Sequence, residues 1–128
     1  MAMEEIEAVL EEGKTVDAAL ISIGNPHKES TLREIGYLKE MDLDNLRKVG
    51  VVGDIAFRFF DKFGEPTNHP INNKVIGISL EQLRAVQTVI AVVEGSHKVE
   101  SVLGALKGNY LDVLIIDETT AALLLDKR

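Results

Sequence analysis

Apolar positions along these 128 residues switch repeatedly between helical spacing and short unbroken runs. Ile6, Val9 and Leu10 fall on one face of a first helix, with Gly13 placed to end it. Residues 16–23 are nearly continuous in apolar character and predict a buried strand, stopped by Gly24-Asn25-Pro26. Between 27 and 41 the pattern weakens to a loop with a short helical turn. Leu43, Leu46 and Val49 restore helical spacing, with Asp42 as N-cap and Gly50 as the stop.

Residues 54–60 alternate Ile55, Phe57 and Phe59 against Ala56, Arg58 and Phe60, which predicts an extended segment, although a short helix fits nearly as well. Asp61-Lys62-Phe63-Gly64 supplies turn chemistry. Residues 75–78 predict a strand, and Ser79 with Gln82 a capping box opening a helix that buries Leu80, Leu83 and Val86. A strand at 89–93 follows, then Glu94-Gly95-Ser96 and a helix turning Val99, Val102, Leu103 and Leu106 inward before Gly108. Residues 113–116 form a last apolar run, and 119–125 a last helix.

Strands that are apolar on both faces and separated by amphipathic helices imply an α/β fold: a mainly parallel sheet with helices on both faces. Segments 16–23, 89–93 and 113–116 are expected to be neighbours. Ligands in open sheets of this kind gather at the carboxyl ends of the strands, here Gly24-Asn25, Glu94-Gly95-Ser96 and Asp117-Glu118-Thr119.

A hydrophobic content of 45% fits one compact domain or a large piece of one over residues 1–128. The absence of cysteine excludes a disulfide framework and a thiolate nucleophile, and matches a reducing compartment, so the cytoplasm is expected. No apolar run approaches the roughly 20 residues of a membrane span, and the acidic amino terminus is unlike a basic signal peptide. A formal net charge of −7 would repel a phosphate backbone, so these residues are not expected to bind DNA themselves.

Glu94-Gly95-Ser96-His97-Lys98 is the strongest chemical constellation, because a glycine turn between strand and helix aims backbone N–H groups at an anion and Lys98 adds a mobile positive charge. The same turn also serves a purely structural role in many α/β folds. Asp54, flanked by Gly50-Val51-Val52-Gly53, is a candidate acceptor for sugar hydroxyls or a general base, and equally a loop acid capping a backbone amide. Asp117 reads first as the N-cap of the last helix and second as a ligand contact. Gly24 sits at the first strand's end, facing the same edge. His27, His69 and His97 are too scattered for a metal site, and no metal or cofactor is expected. Phe57, Phe59, Phe60 and Phe63 read as core, since nothing basic is interleaved among them to make a stacking platform. Asn72-Asn73-Lys74 reads as a turn.

Gly50-Val51-Val52-Gly53-Asp54-Ile55, Arg58-Phe59-Phe60-Asp61, Gly64, His69-Pro70 and Val75-Ile76-Gly77-Ile78 together resemble the later half of the sugar-binding domain of SorC-type bacterial transcriptional regulators. The likeness continues through Gly95, Lys98, Ala105-Leu106-Lys107-Gly108 and Leu114-Ile115-Ile116-Asp117-Glu118-Thr119 with Ala121. The resemblance implies a fold like that of ribose-phosphate and glucosamine-phosphate isomerases, used to sense a phosphorylated sugar as a homo-oligomer. The strand-end reading and the resemblance together give Gly24, Asp54, Gly95, Ser96, His97, Lys98 and Asp117 as the expected ligand contacts. The resemblance also implies that DNA is bound only through a separate helix-turn-helix domain, and that a first half of the sensor with its own glycine-rich turn belongs ahead of residue 16. Glu94 stands where the family's paired-glycine turn has a glycine.

Three functions compete on these residues. Effector sensing without catalysis is carried by the motif order. A sugar-phosphate isomerase-like enzyme rests on Asp54 as a base and on analogy of fold. A pure oligomerisation module follows if most ligand contacts lie elsewhere.

Overall fold

A computed structural model of the protein describes residues 2–26 and 31–127. The first helix, α1 (Ala2–Gly13), ends at the expected glycine, but Ile6 and Val9 stay exposed. Its apolar stripe therefore points away from the core formed by the described residues.

Three short strands build a parallel sheet in the order β1 (Ala18–Ile21), β4 (Thr88–Val93), β5 (Val113–Ile116), with Ile21 beside Ala91 and Ala91 beside Leu114. The expected neighbours are thus neighbours in space. A right-handed crossover is the usual way to join parallel strands, and each crossover here runs through helices. The first contains α2 (Thr31–Glu34), α3 (Glu40–Lys48) and α4 (Leu80–Arg84); the second is α5 (Val99–Lys107). The chain then closes with α6 (Glu118–Lys127).

Val89, Ala91 and Val93 of β4 are buried in the main core with Leu80, Leu83, Val99, Val102, Ala105 and Leu124. Helices thereby cover one face. On the other face Leu20, Val92, Val113 and Ile115 remain 74%, 46%, 44% and 54% exposed, so the second helical layer expected from the two-sided apolar strands is not provided by the described residues.

The expected single extended segment at 54–60 is instead a hairpin. Its arms are β2 (Val51–Ile55) and β3 (Arg58–Asp61), paired antiparallel with Ile55 opposite Arg58. Ala56 and Phe57 make the turn with φ of 51° and 63°. Two-residue hairpin loops favour this left-handed geometry because it matches strand twist, but it is usually supplied by glycine or asparagine. Without either residue, the alternation reads straight through the turn. Phe59 and Phe60 are core, whereas Phe57 and Phe63 are exposed, correcting their assignment to the interior.

Residues 75–78 are not a strand. Their carbonyls turn to the Arg58 guanidinium, which donates to Val75, Gly77 and Ile78 at 3.0–3.2 Å and also to Asn72. A side chain thus replaces the strand partner these groups would otherwise need. The Ser79–Gln82 capping box forms as expected. In α3 the N-cap is Lys39; Asp42 lies one turn in and accepts from the Lys39 amide at 2.9 Å, and Gly50 follows the helix at φ 89°. Leu43 and Leu46 join Leu32, Leu38, Val51 and Phe59 in a second, smaller core, while Val49 is exposed.

Candidate functional site

Where β1 ends, the backbone of Gly24 meets that of Asp54 in an antiparallel bridge: Gly24 N donates to Asp54 O at 2.9 Å and Asp54 N to Gly24 O at 3.1 Å. This bridge fastens the hairpin to the carboxyl end of the parallel sheet. The Asp54 side chain then lies over Gly24, where a Cβ would stand 2.3 Å from Asp54 Oδ1. Glycine is required there for close approach of a carboxylate to the backbone.

The next contact joins the loop after β1 to the loop after β4: Asn25 Nδ2 donates to the carbonyl of His97 at 2.9 Å. Around these ties opens a cleft of about 330 Å³. Gly24 and Asn25 form one wall, Asp54, Ala56 and Phe57 the second, and His97 with Lys98 the third. A larger hollow of about 530 Å³ lies on the other side of His97, but it lacks the strand end and the buried acid.

Asp54 is 8% exposed. Burial pushes its carboxyl pKa up to about 6, partly offset by the Phe57 backbone amide and the positive charge of Lys98. Lys98 makes no ion pair among the described residues, leaving its ammonium available in the cleft. The cleft thus pairs an acid able to accept hydroxyl hydrogen bonds with a cation able to hold an anion. The Ala56–Phe57 turn costs non-glycine residues about 1–2 kcal/mol each. Such strained backbone clusters at ligand clamps.

Of the seven candidates from the sequence, Gly24, Asp54, His97 and Lys98 line one cleft. Gly95, Ser96 and Asp117 do not line it. Gly95 N–H is directed to Asp117 Oδ1 at 3.3 Å, so that amide is engaged by the protein's own carboxylate and not by the cleft. Asp117 Oδ2 accepts from Thr120 N at 3.0 Å, the geometry of an N-cap, and the hydrogen bonds from Thr120 hold its carboxyl below the usual range. Asn25 was placed with Gly24 on the ligand edge but not singled out as a contact. Ala56 and Phe57 were missed as site residues, because their turn carried no glycine signal. Among the described residues no group of His, Asp and Glu converges as a metal site, and His27 lies outside those residues.

The family model described as "Putative sugar-binding domain" matches residues 1–126. This chain belongs to that sugar-binding domain family. Within it, the deoxyribonucleoside regulator of Bacillus subtilis is 42% identical over 121 residues, 94% of this chain and 38% of that protein. The sorbitol operon regulator of Klebsiella pneumoniae is 32% identical over 111 residues, covering 87% of this chain and 35% of its own length. A solved DeoR family regulator from Listeria monocytogenes superposes with a TM-score of 0.91 at 42% identity, over 94% of this chain and 49% of that one. The full-length sorbitol operon regulator structure gives 0.87 at 29% identity, over 95% of this chain and 40% of that one. The chain therefore spans less than half the length of these relatives. The sugar-binding domains of SorC and DeoR regulators share its α/β fold, that of the sugar-phosphate isomerases. No helix among the described residues is long and apolar enough to cross a membrane.

Proposed function

We propose that this chain is the later part of the effector-binding domain of a sugar-responsive transcriptional regulator, and that it senses a phosphorylated sugar without transforming it. The carrying observation is that Asp54 and Lys98 line one cleft at the carboxyl ends of the sheet. In this reading Lys98 holds the phosphate, Asp54 and Asn25 take sugar hydroxyls, and Phe57 covers the ring. Gly95, Ser96 and Asp117 act from behind by shaping the loop that carries His97 and Lys98. DNA is reached through a separate helix-turn-helix domain of a homo-oligomeric, cytoplasmic regulator. The names of the relatives, a deoxyribonucleoside and a sorbitol operon regulator, support a sugar-derived effector.

The test is calorimetric titration of pentose and hexose phosphates, deoxyribose phosphate among them, with each unphosphorylated sugar as control. Lys98→Ala is expected to weaken binding of the phosphorylated ligand roughly tenfold to a hundredfold, since a charge-assisted hydrogen bond contributes about 1.5–3 kcal/mol. Equal affinity for phosphorylated and free sugar removes the phosphate from the reading, and measurable isomerisation replaces sensing with catalysis.

A further inference from the structure

Lys98 reaches the cleft on a flexible stem, so where its ammonium stands depends on how the backbone beneath it is held. The peptide unit that joins His97 to Lys98 is held from another loop: its carbonyl accepts from Asn25 Nδ2 at 2.9 Å. The N–H of the same peptide turns back to the Gly95 carbonyl at 3.0 Å, a tie within the loop, so Asn25 supplies one that reaches outside it. Asn25 is 5% exposed and stands on fixed backbone. Before it, Gly24 exchanges two hydrogen bonds with Asp54; after it, Pro26 restricts Asn25 toward extended geometry. The acid and the cation of the cleft are thereby joined by one short chain of contacts, from Asp54 to Gly24 and from Asn25 to His97.

We infer that Asn25 is a positioning residue: by holding the His97–Lys98 peptide it aims the Lys98 ammonium at the anionic group of the ligand, and so sets how strongly a phosphorylated sugar is preferred over its free form. The inference deepens the proposed function and rests on it. Without the Nδ2 donor, the part-buried carbonyl would turn toward water, rotate the peptide and carry Lys98 with it. A cation that must be ordered again when the ligand arrives gives up part of its attraction to the cost of that ordering. A sugar hydroxyl on Asn25 Oδ1 would be a contact that phosphorylated and free sugar share.

Calorimetry with deoxyribose phosphate and with deoxyribose, on wild type, Asn25→Ala, Lys98→Ala and the double variant, tests the idea. Any hydroxyl contact of Asn25 cancels in the ratio of the two affinities, so the ratio isolates the phosphate. It should fall about tenfold in Asn25→Ala, and fall no further when Asn25→Ala is added to Lys98→Ala, because both residues act on one contact. Tyr110→Phe, which costs stability away from the cleft, should leave the ratio alone. A second readout needs no sugar. Among the described residues, His97 and Lys98 are the titratable side chains that line the cleft beside Asp54. Burial raises the Asp54 pKa to about 6, while the Phe57 amide and the charge of Lys98 hold it down. Carboxyl-carbon NMR of Asn25→Ala should therefore show Asp54 titrating higher than in wild type as Lys98 swings away, whereas simple entry of water would lower it. In a protein that prefers the phosphorylated sugar, an unchanged ratio or full additivity of the two variants overturns the proposal. So does an Asp54 titration that stays in place or falls. A wild type indifferent to the phosphate refutes the proposed function instead, and the direction of the Asp54 titration then decides the role of Asn25 by itself.

Discussion

The Asp54 carboxylate rests on the backbone of Gly24, so close that a Cβ at position 24 would lie 2.3 Å from Asp54 Oδ1. The two residues also exchange both backbone hydrogen bonds, which makes the carboxylate's position a property of the backbone rather than of a free rotamer. Gly24→Ala is therefore expected to push the carboxylate out of the cleft. Sugar-phosphate affinity should fall at least about tenfold, with a stability loss of roughly 1–3 kcal/mol from overpacking. Calorimetry beside thermal melting separates the effects; unchanged affinity would show that Asp54 does not touch the ligand.

Asp54 also gives the protein a pH signature. Its carboxyl pKa rises from 3.8 to about 6 on folding, so between those values the folded state holds more proton than the unfolded one. Stability should accordingly be highest below pH 3.8 as far as this group is concerned, fall as pH rises through the window, and level off above about 6. The loss is on the order of 3 kcal/mol, from 1.36 kcal/mol per unit of pKa. Asp54→Asn should remove this slope and be the more stable protein at pH 7. Denaturant titrations of both from pH 4 to 8 check it, and parallel pH curves would refute the buried-acid account.

Arg58 replaces a missing strand partner for residues 75–78. It donates to the carbonyls of Asn72, Val75, Gly77 and Ile78, a planar fork that lysine does not reproduce. Arg58→Lys should destabilise by roughly 2–4 kcal/mol through carbonyls left without donors. Hydrogen exchange should rise locally in 72–79. A melting temperature within about a degree of wild type would contradict that role.

Tyr110 packs against Phe60 with ring centroids 5.9 Å apart, lies under the Arg84 guanidinium, and donates its hydroxyl to the Gly64 carbonyl. Burial raises its pKa above the ordinary value. Tyr110→Phe keeps the ring contacts and removes the donor, so a cost of about 1–2 kcal/mol is expected, with the cleft and its affinity untouched. A larger loss of ligand binding than of stability would mean that the Gly64 turn communicates with the site.

The sequence by itself determined the parallel sheet, its three strands and the helices after Ser79, because those elements are set by local periodicity, caps and glycine stops. Gly24, His97 and Lys98 were legible as candidates for the same reason: each follows a strand in an α/β order whose ligand edge is known from topology, whereas Asp54 was marked by the glycines that precede it. Tertiary structure decided what local pattern does not encode. The Ala56–Phe57 turn adopts left-handed geometry with no glycine to announce it, because pairing of its two arms demands that geometry. The carbonyls of Val75, Gly77 and Ile78 found Arg58 instead of a strand, a choice made by a residue some twenty positions away. Gly95 turned its amide to Asp117 when β4 and β5 came side by side. The exposed row of Leu20 and its neighbours shows the same division: the alternation made both faces of the sheet apolar, and only packing showed which one this chain covers.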